Sequence, residues 1–179
     1  MSKILRPHIL HIARIEHVDK NGRVLWAAED LKNMLHDEGE QAILSAYFAT
    51  TMTGYGAPPE NLYLGLDARG SVAEADTLSS LSGEPSGNGY TRIALSTAGT
   101  GASGQDFYVN QPAAYYRADS KTVIFTASGG AWSTVTRLFL CTASSGTSGK
   151  LISTVDLSTS RTLQNGDSLN TSIYVGLSE

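Results

Sequence analysis

Ser168-Leu169-Asn170-Thr171-Ser172-Ile173-Tyr174-Val175-Gly176-Leu177 is the stretch that decides the fold. Leu169, Thr171, Ile173, Val175 and Leu177 occupy every second position. Successive side chains of an extended chain point to opposite faces, so this spacing lays one stripe along one side of a strand. A strand with one such face needs neighbours to cover it.

Upstream, the same reading applies to segments 150–157, 134–142, 121–127, 113–117, 90–95 and 62–67. In the last of these, Leu62-Tyr63-Leu64-Gly65-Leu66-Asp67, the leucines alternate with residues of the other face. Turn-forming runs lie between them, among them Gly83-Glu84-Pro85-Ser86-Gly87-Asn88-Gly89, the insert Gly99-Thr100-Gly101-Ala102-Ser103-Gly104 and Asn165-Gly166-Asp167. Short strands at close spacing with turn residues between them predict an antiparallel β-sandwich or jelly roll. No exact internal repeat occurs, which argues against a solenoid.

Residues 1–56 read differently. Asp19-Lys20-Asn21-Gly22 separates two apolar runs, and Asn-Gly there predicts a β-hairpin over 9–28 with a type I′ turn. Asp37-Glu38-Gly39-Glu40 resembles a capping box, with Ile43, Ala46 and Tyr47 following at helical spacing, so one helix is expected over 37–50. Gly54-Tyr55-Gly56-Ala57-Pro58-Pro59 ends it as a linker. The expected organisation is a hairpin-plus-helix anchoring region, 1–56, and a mainly β domain, 57–179.

Composition narrows the function. Of 179 residues, 41% are hydrophobic, enough for a substantial core. Charged residues are 17%, below the roughly 25% typical of globular proteins. Net charge is −4 and the 13 basic residues are scattered, a poor match to a nucleic-acid partner. No apolar run approaches the roughly 20 residues of a membrane span, and no signal peptide is evident at Met1-Ser2-Lys3-Ile4. Cys141, the only cysteine, sits in Leu138-Phe139-Leu140-Cys141 and reads as a small core hydrophobe.

From Leu62 onward the chain resembles a family of small tailed-bacteriophage virion structural proteins. The resemblance is carried by Leu62-Tyr63-Leu64-Gly65-Leu66, by Gly83-Glu84-Pro85-Ser86-Gly87-Asn88-Gly89-Tyr90-Thr91-Arg92, and by Lys121-Thr122-Val123-Ile124-Phe125-Thr126-Ala127-Ser128-Gly129-Gly130-Ala131-Trp132. Gly149-Lys150-Leu151-Ile152 and the closing Asn165-Gly166-Asp167 belong to it too. These motifs are structural, and the resemblance implies a virion setting. Gly129-Gly130 also has a local reading: a tight reversal that lets Phe125 and Trp132 enter one core.

Catalytic signatures are weak. Gly146-Thr147-Ser148-Gly149-Lys150-Leu151 has the wrong glycine spacing for a phosphate loop and a leucine where a hydroxyl belongs. No Gly-x-Ser-x-Gly pentapeptide occurs. His8, His11, His17 and His36 have no cysteine beside them to complete a zinc site, and are expected to be solvated or at interfaces. Asp67, Glu74, Asp76 and Glu84 lie in a loop-rich stretch and are expected to be solvated acids rather than a hydrolytic pair.

The expected function is therefore non-enzymatic, with no cofactor and no metal. The leading expectation is capsid decoration or cement bound to the major capsid protein. A neck, collar or tail adaptor is the alternative, and a carbohydrate- or receptor-binding module with Trp132 or Tyr115 exposed is another. Virion proteins are the expected partners, with self-association into an oligomer such as a trimer, and the virion, assembled in the host cytoplasm, is the expected location. Tyr90, Arg92, Tyr115, Tyr116 and Arg117 are the candidate interface residues, since exposed tyrosine and arginine suit protein contacts.

Overall fold

The computed structural model describes residues 10–48, 59–98, 104–111 and 117–176. Among these residues ten strands form one antiparallel sheet that curls until it nearly closes into a barrel, giving the sandwich-like, mainly β fold expected. The strands are β1 (Leu10–Val18), β2 (Val24–Leu35), β3 (Asn61–Asp67), β4 (Ile93–Ser96) and β5 (Phe107–Asn110). They continue with β6 (Arg117–Ser120), β7 (Val123–Thr126), β8 (Val135–Cys141), β9 (Leu151–Arg161) and β10 (Ser168–Gly176). The one α-helix among the described residues, α1, spans Asp37–Phe48.

The order across the sheet is β4-β3-β8-β9-β2-β1-β10-β6-β5, with β7 pairing β10 beside β6. The alternation in β10 is realised: Leu169, Thr171 and Ile173 are buried on one face. They meet Ile12 and Ile15 of β1, Leu64 and Leu66 of β3, Leu138 and Leu140 of β8 and Val155 of β9 in one apolar core. Phe125 and Trp132 both enter that core across the glycine reversal, with Gly129 at φ +92°.

The expected division between 1–56 and 57–179 is not seen in the pairing. The N-terminal hairpin lies mid-sheet: β1 pairs β10 from Leu10↔Val175 to Val18↔Ser168, and β2 pairs β9. Its turn also differs from expectation. Only Gly22 takes a positive φ (+82°), whereas a type I′ turn would need Asn21 there too. The Asp19 carboxylate accepts the N–H groups of Asn21 and Arg23, and the Gly22 N–H donates to the Asp19 carbonyl. That aspartate clamp favours a longer loop, with a register shift between His17 and Val18. The hairpin runs to Leu35, well past 28, through Asp30, a non-glycine at φ +51°.

Helix α1 begins at Asp37, with the His36 carbonyl accepting the Glu40 N–H, so His36 rather than Asp37 takes the cap position. Gly39 allows α1 to lie against β9, because a Cβ there would stand 2.2 Å from the Ile152 carbonyl oxygen. The expected linker at 54–59 lies almost wholly outside the described residues, as do the glycine insert before Gly104 and the expected strand at 113–117 before Arg117.

Strand β8 is the one most enclosed. Leu138 and Leu140 face the main core, while Phe139 and Cys141 face a second cluster with Leu78, Leu81 and Leu151. The apolar run 138–141 therefore has no alternation because both faces are covered. Residues 68–92, with a short 3-10 turn at Leu78–Ser80, form that outer cover. Gly65 pairs with Phe139 across the strands, and a Cβ there would stand 2.3 Å from the Phe139 ring. We expect Gly65→Ala to destabilise the fold by about 1–3 kcal/mol through overpacking. Gly70→Ala, whose Cβ meets nothing within 4 Å, should change stability by less than about 0.5 kcal/mol. Urea unfolding of both variants checks this pair.

Candidate functional site

The sequence segments that carry the virion-protein resemblance converge on one place. Asn88, at φ +49°, presents its carbonyl to the Ser128 N–H and the Trp132 indole N–H, and its side-chain amide donates to the Ala131 carbonyl. The Asn165 side chain accepts the Gly129 N–H, the Ala127 N–H donates to the Asp167 carbonyl and the Ala127 carbonyl accepts the Gly166 N–H. Tyr90 lies 5.4 Å edge-on from Trp132, and its hydroxyl accepts the Leu66 N–H while donating to Glu84. Burial pushes the Tyr90 phenol well above its usual range, so it stays protonated and can hold that donation.

Arg92 closes the cluster. Its guanidinium makes a two-pronged pair with Glu84, at 2.8 Å on each prong, and donates to the carbonyls of Ala143 and Gly146. It also lies 5.2 Å above the Phe139 ring, and its side chain is 4% exposed. The hydrogen bond to Glu84 raises its pKa further, against the cost of burial. Tyr90 and Arg92 thus point inward, where both side chains are engaged by Glu84 and the core. Of the other expected interface residues, Arg117 is partly exposed, pairs with Asp119 and lies 4.5 Å over the Tyr174 ring. Tyr115 and Tyr116 lie outside the described residues.

The acids of the loop-rich stretch are not solvated as expected. Asp67 is fully buried, accepts the Gly83 N–H and pairs with Arg137 at 3.4 Å. Arg137, itself 3% exposed, also binds the Asp156 carboxylate and the Arg69 carbonyl. Asp76 accepts from Arg69 and from the Ala73 N–H, and these bonds hold it below the ordinary carboxylate range. Asp67 holds the loop to the sheet through the Gly83 N–H, while Asp76 ties the loop to itself. Their arrangement resembles rivets more than a hydrolytic pair, in which two acids face an open space.

The three described histidines are likewise internal. His17 pairs with Asp167 at 3.1 Å, tying the hairpin to the turn before β10. His36 is fully buried, donates from Nδ1 to the Glu74 carbonyl and accepts at Nε2 from the Thr154 hydroxyl. His11 stacks on Tyr174 at 4.6 Å. His8 lies outside the described residues. Among those described, no three His, Cys, Asp or Glu side chains are grouped to hold a metal. Cys141 is buried, and burial raises its thiol pKa, which suits a core residue. Among the described residues no helix is long and apolar enough to cross a membrane.

Sequence reading missed the buried charges, although a signal exists. Asp67 ends an apolar strand and Arg137 interrupts one, and ionisable residues in such runs need partners. It also missed the outward apolar residues of β2, where Val24, Leu25 and Met34 are exposed.

Two outcomes follow from these contacts. Arg137→Met leaves the Asp67 carboxylate buried without its cation and should cost about 3–5 kcal/mol in denaturant unfolding, much of it recovered in Asp67→Asn/Arg137→Met. Burial lowers the His36 pKa below the ordinary 6.5, so the unfolded chain binds the proton first. The stability tied to neutral His36 is thus present above about pH 6.5 and declines as pH falls below it. Urea midpoints between pH 7.5 and 5.5 should fall less for His36→Gln than for the parent chain.

Comparison with known families agrees with this construction. Residues 34–176, well over half of the chain, match the family model described as podophage GP4 fiber I protein gp80. No curated protein and no solved structure matches the chain. The matched span runs from the last residues of β2 through β10 and contains the whole Asn88–Tyr90–Arg92 cluster. The chain therefore belongs to the podophage GP4 fiber I protein gp80 family, a family of phage virion structural proteins.

Proposed function

We propose that the chain is a non-enzymatic subunit of a tail-associated fibre in a podophage, joining neighbouring virion proteins through its outer surface. The family match carries this reading, since that family is described by a fibre. The geometry supports it: the acids and arginines that might have served chemistry hold residues 68–92 onto β3 and β8. A rigid body with its charges tied inward suits mechanical assembly. Copies in such a structure associate by symmetry, so a homo-oligomer, with a trimer as the expected form, is part of the proposal.

The shell decoration expected from the sequence is the less favoured reading, and with it the major capsid protein as neighbour. A neck, collar or tail adaptor shares the tail-side station and stays the nearer alternative. A glycan-binding module loses one of its two expected aromatic platforms, because Trp132 is 3% exposed and its indole N–H is bonded to Asn88.

Immunogold labelling of purified particles with an antibody against the folded chain tests the station. Gold at tail-attached fibres is the expected result. Gold spread over the capsid shell would restore the decoration reading.

A further inference from the structure

We infer that two copies of this chain join edge to edge about a two-fold axis, each laying β5 into a recess beside the other's β7. This goes beyond the reading above, because it concerns contact between copies wherever in the particle they stand.

The edge of the sheet is stepped. β1 covers one side of β10 from Val175 to Ser168, so β6 and β7 share its other side, one after the other. β5 then covers β6, from Phe107↔Ser120 to Asn110↔Arg117, whereas β7 pairs only β10 among the described residues. The result is a ledge one strand wide, about 4.8 Å, beside a recess of the same depth. β5, the ledge, and β7, the floor of the recess, are each four residues long. The Asp106 carbonyl accepts the Lys121 N–H at one end of the recess, and the Asn88 carbonyl accepts the Ser128 N–H at the other.

Ledge and recess both present unbonded backbone. Along an antiparallel pair, alternate residues bond toward the neighbouring strand. The Ala127 N–H donates to the Asp167 carbonyl, so Val123 and Phe125 also bond toward β10. Ile124 and Thr126 therefore turn their N–H and C=O groups outward. By the same count from the Lys121–Asp106 bond, Phe107 and Val109 turn theirs away from β6. No bond fills these groups among the described residues. Addition of a strand is the way such a row is completed.

The shape and the chemistry of the step point to a second copy as the occupant. Edge strands are commonly guarded by charge, which repels an added strand. Here no charged residue lies between Lys121 and Arg137 or between Asp106 and Arg117. Val109 and Ile124, one on the ledge and one in the recess, are the most exposed large hydrophobics described, at 57% and 56%. Half a turn about an axis normal to the sheet brings the ledge of one copy into the recess of the other. The same motion does the reverse, so both pairings form together in one self-complementary contact. β7 does not suit a second β7. With Ile124 opposite Thr126 of the other copy, that copy's Asn88, bonded at its Ser128, would fall on Thr122. The contact joins copies in pairs, whether single chains or chains already gathered in threes.

Sedimentation of the full chain over a concentration series, with hydrogen exchange on the same samples, tests the contact. The mass of the smallest species should double as concentration rises. In the doubled species the amides of Ile124, Thr126, Phe107 and Val109 should exchange at least tenfold more slowly. Ile124→Lys and Val109→Lys, both at exposed positions that the fold tolerates, should each weaken the doubling by tenfold or more. Val24→Lys, an exposed position on the hairpin, should leave it unchanged. No doubling up to about 1 mM overturns the proposal, as does doubling that leaves those four amides fast. Loss with only one of the two edge variants, or an equal loss with Val24→Lys, overturns it as well. Gold labelling at the fibres would stand through any of these failures, so the contact can fail without the fibre reading.

Discussion

The constraint on which the rest of this structure depends is the burial of β8 on both faces. A strand with one covered face needs only a core. A strand with two needs a second layer, and here that layer is a loop, residues 68–92, rather than another sheet. A loop has many backbone groups to satisfy and little apolar surface with which to hold itself down. The two buried guanidiniums, Arg137 and Arg92, resolve this. Each sits on the outer side of the sheet and binds a carboxylate together with backbone carbonyls. An unpaired buried charge costs several kcal/mol, so the loop is fixed by the penalty for leaving.

The N-terminal hairpin works on the other side of the molecule. It fills the space between β9 and β10 and joins them into one sheet, which curls around its core and ends at β4 and β5. Ile12 and Ile15 supply core contacts, and the His17–Asp167 pair holds the hairpin turn against the Asn165-Gly166-Asp167 turn. The contact is close enough that a Cβ on Gly166 would stand 2.9 Å from the Lys20 Cβ. The closure is uneven: complete along β1 and β10, brief along β2 and β9. That asymmetry separates the closely paired part of the barrel from the sparsely paired stretch of β2.

Much of the fold was legible in the sequence because period-two alternation is a local property. β10, β7 and β3 each show it in their own residues, and turn glycines mark their ends. The helix was legible from its spacing. What escaped was whatever depends on a residue far along the chain. Asp67 reads as a loop acid until Arg137 arrives opposite it, and Arg92 reads as an outward arginine until Glu84 folds back on it. The hairpin was read as an appendage because its partners, β9 and β10, lie at the other end of the sequence. β5 escaped for a different reason: Phe107-Tyr108-Val109-Asn110 is short, with no alternation long enough to declare a strand.

The bonds of Asp67, Tyr90 and Arg92 make the loop over β8 part of the rigid core. Native-state hydrogen exchange tests it most directly, at two amides whose acceptors are side chains of the lock. The Leu66 N–H donates to the Tyr90 hydroxyl and the Gly83 N–H to the Asp67 carboxylate. Both should exchange only through global unfolding, with the same free energy as the amides of β8. Exchange at Gly83 and Leu66 by a local opening, orders of magnitude faster than at Leu138 or Leu140, would show that residues 68–92 lift away and would contradict the account.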